Sequence, residues 1–177
     1  MEYLDKNDAV YGYKAFNKGL INKYGEIFEV GQIYIDENID KEYGYHFCKN
    51  LEDIFIFFRD SENVEVCEVL GYGKTISYYN DYYALYGVYA TERLEVIRKL
   101  DRSEIINYFL SAPILFKDRI TRFISLFKLT NEEIKLFKEK FKDDYSILDY
   151  ISYYHEGNLE AFKIRSDSSN FQRIRKK

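Results

Sequence analysis

YGYHFCKNLEDIFIFF at 43–58, followed by VEVCEVLGYGK at 64–74, decides the fold. Tyr43–Cys48 and Val64–Gly71 are short runs rich in Tyr, Phe, Val and Cys with partial two-residue alternation, the pattern of half-buried strands. Between them, Asn50 is a favourable helix cap, Asp53 stands at the third helical position, and Leu51, Ile54, Phe55 and Phe58 fall on one stripe. The spacing therefore predicts strand, helix, strand.

Working outward, YGYKAFNKGL at 11–20 and FEVGQIY at 28–34 extend the strand set. Strands are expected at Val10–Phe16, Ile27–Ile35 and Tyr89–Leu100 as well, with Gly19, Gly25, Gly31 and Gly44 marking turns. After Leu100 the apolar period changes to that of helices. Asp101 with Glu104 forms a capping box ahead of Ile105, Ile106, Phe109 and Leu110. Pro113 restarts the chain before an apolar face of Ile120, Phe123, Ile124 and Phe127. Thr130 with Glu133 opens a helix carrying Ile134, Phe137 and Phe141, and Ser146–Tyr154 forms a last one ended near Gly157. Strands first and helices second give an α+β protein. The expected architecture is a twisted, mostly antiparallel sheet with one inserted helix, followed by a C-terminal helical lobe. In domains, this reads as a strand-rich module at 1–100, a helical lobe packed on it at 101–164, and a basic polar tail at 165–177.

The 177 residues include 19 Tyr and 14 Phe but no Trp, and their net charge is −4. From Arg165 to Lys177 there are five basic residues and one acidic, so a +4 tail leaves −8 on everything before it. An acidic body excludes a general electrostatic attraction to nucleic acid, and only the basic tail could contribute one. The acidic start lacks the apolar core of a signal peptide, and no apolar run approaches a membrane span. Two cysteines do not make a disulfide scaffold. A cytoplasmic protein with reduced thiols and no membrane partner is expected.

The matching stretches Tyr13–Phe16 (YKAF), Phe28–Tyr34 (FEVGQIY), Gly44–Asp53 (GYHFCKNLED) and Val66–Gly71 (VCEVLG), closed by a strand at Ala90–Leu100, resemble an uncharacterised domain family of bacteria, phages and prophages. The family pattern reads YKGF, YEVGKxY, NGFHxCxNPxD and EVExxGE in that order. The resemblance covers about residues 9–100 and carries no activity. It implies a small cytosolic protein, often encoded on a mobile element. The chain departs from the pattern at Leu51, where many members have Pro, and in the segment Thr75–Tyr89, which is longer and far richer in Tyr.

That segment supplies the first functional candidates. Tyr72, Tyr78, Tyr79, Tyr82, Tyr83, Tyr86 and Tyr89 offer rigid contact area with a hydrogen-bonding tip, suited to partner binding. A hairpin with tyrosines packed on the sheet is the plainer alternative. His46 and Cys48 share a strand face, and with Cys67 and His155 they could supply zinc ligands, although their spacing fits no compact zinc motif. Buried apolar thiols are the simpler reading of the cysteines. GYGKT at 71–75 is not a phosphate loop, because Glu68 stands where the leading Gly belongs. Ile120–Lys142 has helix-turn-helix spacing, but Glu132, Glu133, Glu139, Asp143 and Asp144 would face phosphates, so a packed helical pair is expected.

The order of elements also resembles that of ADP-ribosyltransferases, which use NAD. The resemblance would place Lys14 or Tyr13 on the first strand, Tyr45 or His46 on the next, and Glu68 or Glu95 as the glutamate supporting positive charge in the transition state. Lys14 departs from the His or Arg of that arrangement. The leading expectation is a non-catalytic protein without a cofactor, from a phage or mobile element. It would bind a host protein or protein–nucleic-acid complex, as an inhibitor of an anti-phage defence effector does. The NAD-using transferase is the alternative.

Overall fold

A computed structural model describes residues 9–39, 43–58, 64–77, 87–111 and 117–157. It is an α+β protein with two compact units, residues 1–105 and 106–177.

In the first unit, β1 (Val10–Phe16), β2 (Ile33–Ile35), β3 (Tyr45–Cys48), β4 (Glu65–Ser77) and β5 (Val88–Lys99) form one antiparallel sheet. β5 is its hub. One edge of β5 pairs with β4 from Cys67↔Lys99 to Ser77↔Tyr89, with irregularities at Glu68/Val69 and Tyr72/Thr75. Its other edge is shared end to end: residues 93–95 pair with β2 and residues 88–91 with β3. β1 pairs with β4 along its length and with β3 at Tyr13↔Cys48. The pairings β1–β4–β5–β3–β1 thus close a small barrel, and β2 is left with an edge that no described strand pairs. Closure gives each strand of the ring two neighbours and so reduces the exposed edge.

The barrel core gathers Phe16, Phe28, Phe47, Cys67, Val69, Leu94 and Val96. Such a narrow barrel has room for one central ring only where facing strands lack side chains. Phe47 occupies that place: a Cβ built on Gly12 would lie 2.6 Å from its ring, and one on Gly71 2.5 Å.

The predicted helix after Asn50 is shorter than its apolar stripe suggested. Leu51–Asp53 form a 3₁₀ turn and α1 is a single turn, Ile54–Phe57. Asn50 does not cap it; its amide donates instead to Asp53 Oδ2 at 2.9 Å. Leu51, Ile54 and Phe55 are buried as expected, but Phe58 is already extended at φ −83, ψ 128. An aromatic and β-branched run favours helix weakly, so burial of three side chains holds one turn and no more. β2 is also shorter than expected, because Gly31 turns the chain at φ 82 ahead of it.

α2 (Arg102–Ser111) begins as predicted. Asp101 Oδ1 accepts from Glu104 N at 2.8 Å while Glu104 Oε2 accepts from Asp101 N at 2.8 Å. The second unit contains α3 (Lys117–Leu126), α4 (Asn131–Lys140) and α5 (Tyr145–Glu156). Thr130 and Glu133 make the expected capping box on α4. Asp144 caps α5 through Ser146 N and Ile147 N, and Gly157 ends it at φ 68. Phe123 is the centre of this core, stacked on Phe109 at 3.9 Å and flanked by Phe127 and Phe137. Ile147 and Ile151 of α5 are fully buried beside α3. No described helix is long and apolar enough to cross a membrane.

Candidate functional site

The candidate catalytic residues are held in two separate settings. Register pairing sets Tyr13 opposite Glu68 on one face of the β1–β4 ribbon, and Lys14 opposite Cys67 on the other. Arg98 grips both oxygens of Glu68 (Nε to Oε2 and Nη2 to Oε1, each 2.7 Å), and Tyr11 Oη donates to Oε2 at 2.5 Å. Arg98 Nη1 continues to Glu104 Oε1 at 2.7 Å, tying the barrel wall to the start of α2. Desolvation alone would raise the Glu68 pKa, but the hydrogen bonds from Arg98 and Tyr11 outweigh it and hold the carboxyl below its ordinary range. Partial burial, then the hydrogen bond to Glu68, pushes the Tyr11 phenol up to about 12.

Lys14 Nζ donates to the main-chain oxygen of His46 at 2.6 Å, so this pair of candidates meets through backbone and not through the imidazole. Desolvation lowers the Lys14 pKa to about 8. Tyr45 Oη donates to Glu26 Oε1 at 3.3 Å, and its ring packs edge-on against Phe28. Glu95 stands between Ile33 of β2 and Leu70 of β4.

Glu68 gives a test of this wall by acid. Its pKa is depressed in the folded state, so its ion pair contributes stability above the unfolded value near 4.3, lost as pH falls through the lower folded value. Wild type is expected to lose more stability than Glu68→Gln below about pH 4. Acid denaturation curves that run parallel would show the pair to be inert.

The possible metal ligands are not brought together. Cys48 pairs with Tyr13 and Cys67 with Lys14, which carries the two thiols to opposite sides of β1. Cys67 is wholly buried, and desolvation pushes its thiol up to about 12, the opposite of a metal-binding thiolate. His155 belongs to the second unit, where Nε2 lies 2.8 Å from Ile124 O. Among the described residues no three of His, Cys, Asp and Glu form a metal-holding group.

The tyrosine candidates divide. Tyr72 is 1% exposed, a core side chain and not the docking anchor expected of it. Register explains this: it lies opposite Arg93 at the start of the β4 irregularity, within the wall and ahead of the Tyr-rich segment. Tyr89 is half-buried and stacks on Phe47 at 5.6 Å. Tyr78, Tyr79, Tyr82, Tyr83 and Tyr86 lie outside the described residues.

Exposed apolar surface concentrates elsewhere, on 24–35 and at Tyr43. Tyr24 (78% exposed), Ile27 (63%) and Ile35 (55%) are joined by Val30, Ile33 and Tyr43. The loop that leads into this stretch is pinned by Glu65, whose Oε2 accepts from Gly19 N and Leu20 N at 2.9 and 3.0 Å. Leu20 is thereby kept at φ 53, a left-handed conformation uncommon for a branched side chain. At the far end Asp36 closes the excursion between β2 and β3 by accepting from Asn38 N and Gly44 N. The apolar side chains alternate with carboxylates: Glu26, Glu29 and Glu37 are exposed and Asp36 is half-buried, against Lys23 as the exposed cation of 22–39. Register extends the surface across the sheet, because Ile33 lies opposite Glu95, Glu95 opposite Leu70, and Leu70 opposite Tyr11. Large apolar side chains interleaved with carboxylates thus stand exposed on this part of the first unit. A single strand at Ile27–Ile35 would place its isoleucines in the core; the strand is only Ile33–Ile35, and Ile27, Ile33 and Ile35 are exposed. The mixture of Glu with Ile and Val at 26–37 was the available signal.

A family model described as a domain of unknown function (DUF7666) matches residues 10–108. No curated protein and no solved structure matches the chain.

Proposed function

We propose, for a chain that belongs to this family, a non-catalytic role in binding a protein partner through the apolar, acid-interleaved surface of 24–39 and Tyr43. The partner's complementary face is basic, as on a protein that handles nucleic acid. In the setting of a phage or mobile element, such docking inhibits a host defence effector by occupying the surface its nucleic acid needs. One observation carries the reading: six large apolar side chains stand exposed within 24–43, in a stretch whose charge from 22 to 39 is one Lys against four carboxylates. An exposed cluster of this kind is otherwise a liability for solubility. Charge complementarity supplies partner choice and on-rate, and the aliphatic centre supplies residence time. An NAD-using transferase finds less support, because the Glu68 carboxylate it would place at the developing charge is gripped by Arg98 and Tyr11.

The test is Ile33→Arg with Ile35→Arg. Both side chains are exposed, so the unfolding midpoint is expected to move by only a few degrees. Affinity for a captured partner is expected to fall about a hundredfold, and binding of wild type should weaken as salt is raised. Undiminished capture by the folded double variant would remove the reading.

A further inference from the structure

We infer that β2 receives its partner by strand addition, the open edge at Ile33 and Ile35 pairing with an extended segment that alternates basic and aliphatic residues. This rests on the docking surface proposed above and adds how it is used. The main chain is disposed for it. Val96 N donates to Gln32 O and Asp36 N donates to Glu92 O, so the main-chain groups of even-numbered residues point toward β5. Strand alternation then directs the N–H and C=O of Ile33 and Ile35 the other way, to the edge that no described strand pairs. A row of unpaired edge groups is a template for another strand. Ring closure gives β1, β3, β4 and β5 two partner strands each, whereas among the described residues β2 has β5 alone.

The charge selects the occupant. A second copy of this chain would bring Glu26, Glu29, Asp36 and Glu37 against their own like charges, which opposes edge-to-edge dimers. An acidic segment meets the same repulsion. A strand with Lys or Arg on one face and Val or Ile on the other satisfies the edge, the carboxylates and the exposed isoleucines together. In this respect the edge is guarded against its own kind and open to a basic guest.

The experiment titrates the full chain with a short, end-blocked peptide alternating Lys and Val. It is followed by fluorescence anisotropy and by hydrogen exchange at the Ile33 and Ile35 amides. Parallel arms use a Glu–Val peptide and Lys–Val peptides N-methylated at alternate bonds, in either phase. The expected result is binding of the Lys–Val peptide with slowed exchange at Ile33 and Ile35. Methylation in one phase should abolish it and in the other leave it, and the Glu–Val peptide should bind at least about tenfold more weakly. Ile35→Pro removes an edge donor without touching a β5 hydrogen bond and should weaken binding about tenfold or more. If that variant does not fold, the methylated peptides test the same bonds from the other side. Indifference to methylation phase, protection elsewhere, or no binding of any peptide overturns strand addition. So does a concentration-dependent dimer that Ile35→Pro dissolves, which would make a second copy the occupant. Partner capture lost in the Ile33→Arg, Ile35→Arg variant but kept in Ile35→Pro would leave the docking surface standing and sink only the strand; capture indifferent to both would sink both.

Discussion

Gly12→Ala is expected to destabilise the first unit by about 3 kcal/mol or more, with no rescue by trimming Phe47, whereas Gly71→Ala is rescued by Phe47→Leu. The two glycines look alike in sequence, each in a Tyr-Gly-Tyr or Leu-Gly-Tyr strand context, and both abut the same ring. What lies behind the ring separates them. A Cβ at Gly71 meets side chains only: Phe47 Cε1 at 2.5 Å, Phe47 Cζ at 2.7 Å and Thr91 Cγ2 at 3.1 Å. Leucine at 47 withdraws the ring atoms and leaves space. A Cβ at Gly12 falls onto the main-chain carbonyl oxygen of Cys48 as well as Phe47 Cδ2. That carbonyl belongs to the strand that closes the barrel against β1, at Tyr13↔Cys48, so relieving the clash means opening the ring. Phe47→Leu alone should cost about 1–2 kcal/mol for lost packing. Urea unfolding of the singles and both doubles gives two cycles: a favourable coupling of about 1–3 kcal/mol is expected for Gly71 with Phe47 and little for Gly12 with Phe47. Equal coupling in the two cycles would mean that the barrel wall relaxes at Cys48 and that the closure is soft.

The same closure marks where sequence reasoning stopped. β1 at Val10–Phe16 and the boxes at Asp101/Glu104 and Thr130/Glu133 were legible, because strand alternation and helix capping are written within a few residues. The α+β order was legible for the same reason. That β2 and β3 share one edge of β5 end to end was not, since pairing depends on partners some forty to sixty residues apart. Closure then decided which face of each strand is inside. Lys14 had the alternation of a solvent-facing residue, yet its face carries Gly12 and Phe16 into the core. Tyr72 stands near a Tyr-rich stretch of sequence and is buried, while Ile27, Ile33 and Ile35 have the composition of core and are exposed. The carboxylates between them are a local signal that such isoleucines are exposed; the open edge of β2 needs the topology.

Lys14 gives the second large effect, and it is a pH effect. The folded barrel lowers its pKa to about 8, chiefly by desolvation, against about 10.4 in the unfolded chain. Below pH 8 both states carry the proton, and the penalty for holding an ammonium beside Phe16 and under Cys67 is fully present. Between about 8 and 10.4 the unfolded chain binds more protons than the folded one, so wild-type stability rises with pH on this account. Above that window the side chain is neutral in both states and the penalty is gone. Lys14→Met keeps the length and apolar stem of the side chain but has no such titration. At pH 7 the Met variant is therefore expected to be the more stable, because the bond from Nζ to His46 O recovers only part of the desolvation. Its advantage should shrink by on the order of 3 kcal/mol between pH 7 and pH 10.5. Other groups titrate in that range, but they are common to both proteins and cancel in the difference. Paired urea unfolding at pH 7, 8.5 and 10.5 measures it. A constant difference across the three would place the Lys14 ammonium in water and not beside Phe16 on the core face of β1.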